Sequence, residues 1–494
     1  MVGACRQTGF QQLQNGTRDS KNERICCIGK RKEIYMSNQP GEIQEKVVQE
    51  TPKLRRVLGL WDLIFYGIVL IQPIAAVGLF GIASKVSGGH MVTTLLIAMV
   101  GMMLTAISYG RMASLFPSAG SAYTYVGKGL NTYFGFMAGW AMFLDYLIVP
   151  IISTVYAALT LQRFVPGVPF IVWVVLFVLI ITFLNLRGIR TMARSNELLL
   201  AIMCIVIGIF IVLAIRYVFF AQGWSGLLSY KPFYNPKTFN LGAVMTATSF
   251  AALTYIGFDG VTTLAEDVKN PKRNMLLAPA LVCLFTGLFS GLQIYLAQLV
   301  WPDYNTFPNL ETAFYDVSAL VGGKFLFNAM AVILFIACLG TGLSGQVGAA
   351  RLLFGMGRDG IISKKIFSHL NIKSGTPTYN IIIMGVLTII GSVVLSYQGA
   401  AELLNFGAFL AFMGVNIATF RQFFFLRPAG EKRNILSDAV LPILGFLVCF
   451  LLWISLPASA KILGGAWFFI GLVYLIIKTR GLKQKPVILN FKDI

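Results

Sequence analysis

The sequence predicts an all-α polytopic membrane protein of about twelve transmembrane helices, and three observations carry that reading. Hydrophobic residues make up 56% of the 494 positions and charged residues only 12%, with a mean hydropathy of +0.74. Soluble domains carry about twice that share of charge. Apolar runs of about 20 residues recur along the chain, which is the length a helix needs to cross a ~30 Å hydrocarbon core. The net charge of +20 is not gathered in one patch, because the basic residues fall between the apolar runs. That pattern reports membrane topology and argues against a nucleic-acid partner.

Residues 1–53 are polar, mixed in charge and free of apolar runs, so they read as a disordered cytoplasmic tail. No apolar h-region follows the first basic residues, which excludes a signal peptide. Cys26-Cys27 beside Lys30-Arg31-Lys32 is a candidate lipidation site, to be set against a plain solvated arm; Met36 is an alternative start. Apolar segments follow near 61–82, 91–110, 134–162, 170–186, 198–220 and 240–264. Six more lie near 275–301, 325–350, 379–397, 402–425, 437–456 and 459–477. Twelve crossings put both termini on one side. Only Lys85, Arg163, Arg216, Lys231, Lys237, Lys324 and Lys461 then lie on the other side, leaving the remainder of the 40 basic residues with the termini. Positive-inside orientation places both termini in the cytoplasm of a multi-pass plasma-membrane protein. The expected division is a tail (1–53), a ten-helix core (54–426), two additional helices (427–480) and a second tail (481–494).

Two of the segments are interrupted. The first reads FYGIVLIQPIAAVGLFGI (Phe65–Ile82), and Pro73 in its middle lacks an N–H and clashes with the preceding turn. The sixth reads TYIGFDGVTTLAED (Thr254–Asp267), with Gly257 and Gly260 around a deeply placed Asp259. The two breaks open consecutive groups of five helices. Five is odd, so the second group runs inverted, and paired breaks in inverted halves mark the binding site of many secondary transporters. A harmless kink is the alternative for either break alone.

Chemistry-bearing residues are few. Two histidines, His90 and His369, are too far apart in sequence to suggest a metal site. Seven cysteines lack metal spacing, and neither a cofactor nor a disulfide framework is expected. Two acids stand inside apolar segments, where a carboxylate is costly unless it faces a cavity or a partner. They are Asp259 in the sixth segment and Asp145 in the third (MFLDYLIVP). Each can bind a cation, carry a proton or pin helices together; function is favoured for Asp259, while Asp145 is evenly balanced. Tyr66, Tyr146, Tyr255 and Phe258 are candidates for cation–π contacts, against core packing as the ordinary role.

Four stretches resemble the amino acid–polyamine–organocation (APC) superfamily over roughly residues 55–480. The strongest is GFDGVTTLAEDVKNPKR (Gly257–Arg273), followed by FPSAGSAYTYVGKGL (Phe116–Leu130), QVGAARLLFGMGRDG (Gln346–Gly360) and NFGAFLAFMGVNIATF (Asn405–Phe420). The resemblance implies a five-plus-five inverted repeat, alternating access, and a substrate amine met by the backbone around Leu253, Thr254, Tyr255 and Ile256. It also implies a substrate contact at the first break, over Gln72, Pro73, Ile74 and Ala75. Amino acid transporters of this superfamily usually carry Gly-Ser/Thr-Gly there, whose N–H groups hold the substrate carboxylate. Pro73 and Ile74 supply neither that N–H nor that hydroxyl, which weakens carboxylate recognition. With LDYLIVP, this first segment looks most like the putrescine importer branch. Some polyamine-importing relatives have an acid where this chain has Gly78, which leaves a second ammonium with fewer partners.

Proton-coupled relatives can place a lysine in the fifth segment, where this chain has Met203; Thr341 and Ser344 are weak sodium-site candidates. Protonation of Asp259 or Asp145 is the preferred coupling step, since a buried carboxylate takes up a proton readily. The expectation is therefore a secondary transporter importing a small organic cation, putrescine-like, with proton or sodium as the coupling ion. The alternatives are an amino acid permease of the same superfamily and a transporter-like sensor. An embedded enzyme is disfavoured because the spans hold no nucleophile–base pair or metal cluster.

Overall fold

The computed structural model describes residues 32–36, 43–47, 58–117, 121–187, 192–358, 362–371, 376–426 and 433–484. Two compact units divide the chain, Met1–Arg55 and Arg56–Ile494. In the first, β1 (Lys32–Met36) pairs antiparallel with β2 (Ile43–Val47), Lys32 standing opposite Val47 and Met36 opposite Ile43. Disorder was the expectation for this stretch. KEIYM and IQEKV each contain β-branched or aromatic residues, which suit strands. Cys26 and Cys27 lie outside the described residues.

The second unit is all-α. Its helices are α1 (Leu60–Ile71), α2 (Phe80–Val86), α3 (Met91–Leu115), α4 (Ser121–Gly129), α5 (Thr132–Phe164), α6 (Phe170–Leu186) and α7 (Met192–Leu227). Then follow α8 (Leu241–Ala251), α9 (Pro271–Val300), α10 (Ala313–Arg358), α11 (Lys364–Phe367), α12 (Thr378–Val394), α13 (Tyr397–Phe420), α14 (Leu441–Ser455) and α15 (Ala458–Lys478). Among the described residues, nine helical stretches are long and apolar enough to cross a membrane. Shorter apolar helices occupy Leu60–Ile71, Val77–Val86, Phe170–Leu186 and Thr378–Val394. The protein is thus a multi-pass membrane protein built on helices.

Both expected breaks are present, and each has a local cause. The amide of Gln72 ends α1 by donating to Ile68 O at 2.9 Å, and Gln72 itself takes φ 67°. Pro73 cannot extend the ladder, so the chain continues in short turns, Ala75 N to Gln72 O (3.1 Å) and Val77 N to Ile74 O (3.0 Å), before α2. The second break follows α8. A 3₁₀ turn over Ala252–Tyr255 leads to extended Ile256, then to Gly257 at φ 122°, and a further 3₁₀ stretch covers Phe258–Asp267. Only glycine enters the Gly257 conformation without a steric penalty.

Exposed backbone at membrane depth must be satisfied within the protein. Long amides from neighbouring helices do this. Gln293 of α9 donates to Pro73 O at 3.0 Å, and Asn405 of α13 donates to Ser249 O and Phe250 O at 3.0 and 2.9 Å. The two broken segments also lie against each other. Before α1, Leu58 bridges the end of the second broken segment, donating its amide to Asp267 O at 3.1 Å and accepting at its carbonyl from Lys269 N at 2.8 Å. A fully buried aromatic knot of Tyr109, Tyr125, Phe258 and Phe412 packs beside the second break, with edge-on ring pairs at 5.5–5.8 Å.

His90 has a structural role: its Nδ1 meets Ser87 O at 2.8 Å and its Nε2 accepts the amide of Asn235 at 3.0 Å. His369 stacks on Tyr379 at 4.3 Å. Cys204, Cys283, Cys338 and Cys449 are free thiols.

Candidate functional site

The two breaks open onto a cavity of about 340 Å³. α1 and its break contribute Leu70, Ile71, Gln72, Ile74, Ala75 and Gly78, and the second break contributes Leu253, Ile256, Gly257, Asp259 and Gly260. One face of α5 forms a wall through Met142, Asp145, Val149, Ile152 and Tyr156, spaced at helical intervals, with Tyr146 and Ser153 beside them. α10 closes the far side with Leu334, Ala337, Thr341 and Ser344, and Tyr397 of α13 reaches in from one end.

Asp145 and Asp259, remote in sequence, face this one space. They are only 9% and 8% exposed, and among the described residues no lysine, arginine or histidine lines the cavity. Their situations differ. The Asp259 carboxylate sits against the backbone of its own turn, Gly257–Gly260, whereas Oδ1 of Asp145 is buried without a hydrogen-bond partner among the described residues. An unpaired oxygen of that kind costs about 1–3 kcal/mol or more in a folded protein.

Not every expected site residue reaches the cavity. Gln72, Ile74, Ala75, Leu253, Ile256, Asp259, Asp145, Thr341 and Ser344 line it. Pro73 instead turns its carbonyl to Gln293 and borders a second, smaller cavity of about 110 Å³ with Gln72, Met203, Thr341 and Ser344. Tyr255 is fully buried elsewhere and donates its hydroxyl to Leu95 O at 2.8 Å, and Thr254 is likewise buried away from the cavity. Tyr146 lines the cavity, Phe258 belongs to the aromatic knot, and Tyr66 is 38% exposed. Thr341 accepts from Gln72 Nε2 at 2.9 Å while donating to Ala337 O, and Ser344 donates to Gly340 O at 2.8 Å. Both hydroxyl protons are spent inside α10, and Met203 adds only apolar surface.

Sequence reasoning missed Tyr156 and Tyr397. Tyr156 was accessible through periodicity, since it follows Asp145 by eleven residues, three turns of the same helix face. Tyr397 carried no local signal. It starts α13, and only packing brings it beside Gly78. Two further buried acids were also missed: Glu402, which accepts from Gln398 Nε2 at 2.7 Å, and Asp438, which is paired with Arg111.

Helices interrupted in pairs around an acid-bearing cavity are the architecture of many membrane transport proteins. Residues 58–489 match the family described as "Amino acid permease", and the chain belongs to that family. The chain is 32% identical over 437 residues to the low-affinity putrescine importer PlaP of Escherichia coli, covering 87% of this chain and 95% of that protein. It is 27% identical over 441 residues to the branched-chain amino acid permease BcaP of Lactococcus lactis, covering 82% and 90%. A methylthioribose transporter of Bacillus subtilis is 25% identical over 460 residues, with 86% and 94% covered. The protein is a secondary transporter of the APC superfamily and not an enzyme.

Proposed function

We propose that this protein takes up a small organic cation of the putrescine type, coupled to protons, by alternating access. One observation carries the reading: two carboxylates, Asp145 and Asp259, line one cavity that no basic side chain among the described residues reaches. A cation is the partner that such a site lacks, and the apolar walls suit a methylene chain. The resemblance to a putrescine importer supports the same choice. Amino acids fit less well. The amide of Ala75 is already given to Gln72 O, and Pro73 has none, so a substrate carboxylate finds a poor cradle at the first break.

On this reading the core is a five-plus-five inverted repeat followed by two further helices, with twelve crossings and both termini cytoplasmic. The distribution of lysine and arginine supports that orientation. Asp145 and Asp259 bind the ammonium when ionised, and a proton arriving at either one cancels the attraction and assists release. The test is uptake of labelled putrescine into vesicles containing the purified protein, with and without an inward proton gradient. Unlabelled diamines should compete better than ornithine or leucine. Ornithine outcompeting putrescine at equal concentration reverses the substrate assignment.

A further inference from the structure

We propose that His90 is a proton-operated latch: its neutral ring holds residues 235–239, the stretch that runs into α8 and on to the second break, and a proton taken up by the ring lets that stretch go. The latch does not depend on which solute is carried.

The two ring nitrogens face partners that allow one protonation state. Nδ1 lies 2.8 Å from Ser87 O, a carbonyl that can only accept, so Nδ1 carries a hydrogen. Nε2 lies 3.0 Å from the backbone N of Asn235, which can only donate, so Nε2 presents its lone pair. The ring is fully buried and meets Phe239 edge-on at 5.2 Å. A proton on Nε2 would point one N–H at another, which breaks the bond to Asn235 and leaves two buried donors facing each other. The charged side chains on the elements around the ring are Lys85 of α2, Lys231 and Lys237 between α7 and α8, and Asp303 after α9. Lys85 is bonded to Asn305 and lies over the Tyr304 ring, and Asp303 accepts the amide of Asn305 at 3.0 Å. The other titratable groups are phenols, Tyr230, Tyr234, Tyr295 and Tyr304. Among the described residues none of these bonds the His90 ring, so no acid is there to reward its charge.

The corner that carries His90 is fixed, and the stretch it holds is not. Gly89 N donates to Ser84 O at 2.8 Å, Gln298 Nε2 donates to Gly89 O at 2.7 Å, and His90 N donates to Ser87 Oγ at 3.0 Å. Residues 228–234, after α7, are pinned by Thr93 Oγ1 to Phe233 O at 2.6 Å and by Tyr295 Oη to Ser229 O at 2.9 Å. Residues 235–239 form a local turn, with the amides of Thr238 and Phe239 bonded back to Asn235 O at 3.1 and 2.9 Å. Among the described residues, Asn235 N to Nε2 is the only hydrogen bond that ties this turn to another element. Asn240 follows at once and caps α8, its side chain accepting from Ala243 N at 2.9 Å. Loosening the turn therefore loosens the first turn of α8, whose far end is the second break.

Histidine is the side chain that gains charge in mildly acid water. The latched state binds one proton fewer than the released state, so acid favours release, by at most about tenfold per pH unit for a single group.

The experiment is hydrogen–deuterium exchange of the full-length protein in lipid nanodiscs at about pH 7.5 and about pH 5. Wild type and His90→Gln are compared at each pH, so that the intrinsic pH dependence of exchange cancels. A glutamine oxygen reaches about the position of Nε2 and accepts the Asn235 amide, but it takes up no proton in this range. Over residues 233–244 the two proteins should exchange alike at the higher pH. In acid, wild type should exchange about tenfold faster, with α13 the same in both. His90→Phe keeps a ring against Phe239 without either nitrogen and should exchange fast at both pH values. Equal protection of wild type and His90→Gln in acid overturns the latch, as does the same acid loss in both. If glutamine fails to hold the stretch at the higher pH, His90→Phe decides. Wild type converging on it only in acid supports the latch, and a gap that pH does not change overturns it. A wild-type response steeper than about tenfold per pH unit also overturns it, since one imidazole cannot supply that slope.

Discussion

Asp145→Asn separates substrate binding from helix pinning more sharply than any other single change. In the folded protein Asp145 Oδ1 is buried and unpaired, so the empty site already bears the cost of holding that acid. An ammonium at ~4 Å from the carboxylate gains about 4 kcal/mol at an effective dielectric of 20. Asparagine keeps a neutral hydrogen bond worth about 1 kcal/mol. The difference, about 3 kcal/mol, is close to two decades in affinity at 1.4 kcal/mol per decade. Putrescine should therefore bind the variant about a hundredfold more weakly. Thermal stability of the empty protein should hold or rise, because a neutral amide is cheaper to bury than an unpaired acid. Asp259→Asn should lose only about tenfold, since the Asp259 carboxylate is partly satisfied by its own turn. The assays are uptake into vesicles across a pH series and thermal melts with and without putrescine. If Asp145→Asn transports normally with an unchanged pH profile, or melts lower when empty, Asp145 ties helices together and the reasoning fails.

Three further outcomes are expected. Arg111 bonds Asp438 and Ser437 O and lies 3.9 Å from the Phe423 ring, so Arg111→Met removes a charged partner from a 1%-exposed carboxylate that keeps neutral donors in Asn434 N and Ser437 Oγ. It should cost about 1–2 kcal/mol of stability with substrate affinity intact, seen as a lower melting midpoint at normal KM. Partial burial of Glu311, in the loop before α10, raises its carboxyl above the ordinary 4.5. The folded state then holds more protons than the unfolded state above that value, so stability falls as pH rises through the shifted range. Glu311→Gln should match wild type in acid and melt higher at neutral pH; the reverse order would falsify the sign. Cysteines placed singly at Lys269–Arg273 should resist an impermeant thiol reagent in intact cells, and labelling from outside refutes the cytoplasmic assignment of that loop.

By itself the sequence determined the class and the positions of both breaks. Composition and run length demand membrane helices, because about 20 apolar residues have no other stable home. Pro73 and Gly257 interrupt their helices through purely local chemistry, a missing N–H in one case and a positive φ in the other. Asp145 and Asp259 stood out as costly acids for the same kind of reason. Tertiary structure decided what those pieces do together. Only packing brings α5 against both breaks, so that two acids more than a hundred positions apart share one cavity. It also turned Tyr255 away to Leu95 and brought Tyr397 to Gly78, choices that no neighbouring residue announces. The two breaks needed Gln293 and Asn405 to satisfy their carbonyls, and both amides come from distant helices. Backbone chemistry is local and legible along a chain. The partner of a freed carbonyl, and the wall opposite a buried charge, are set by how whole helices pack in three dimensions.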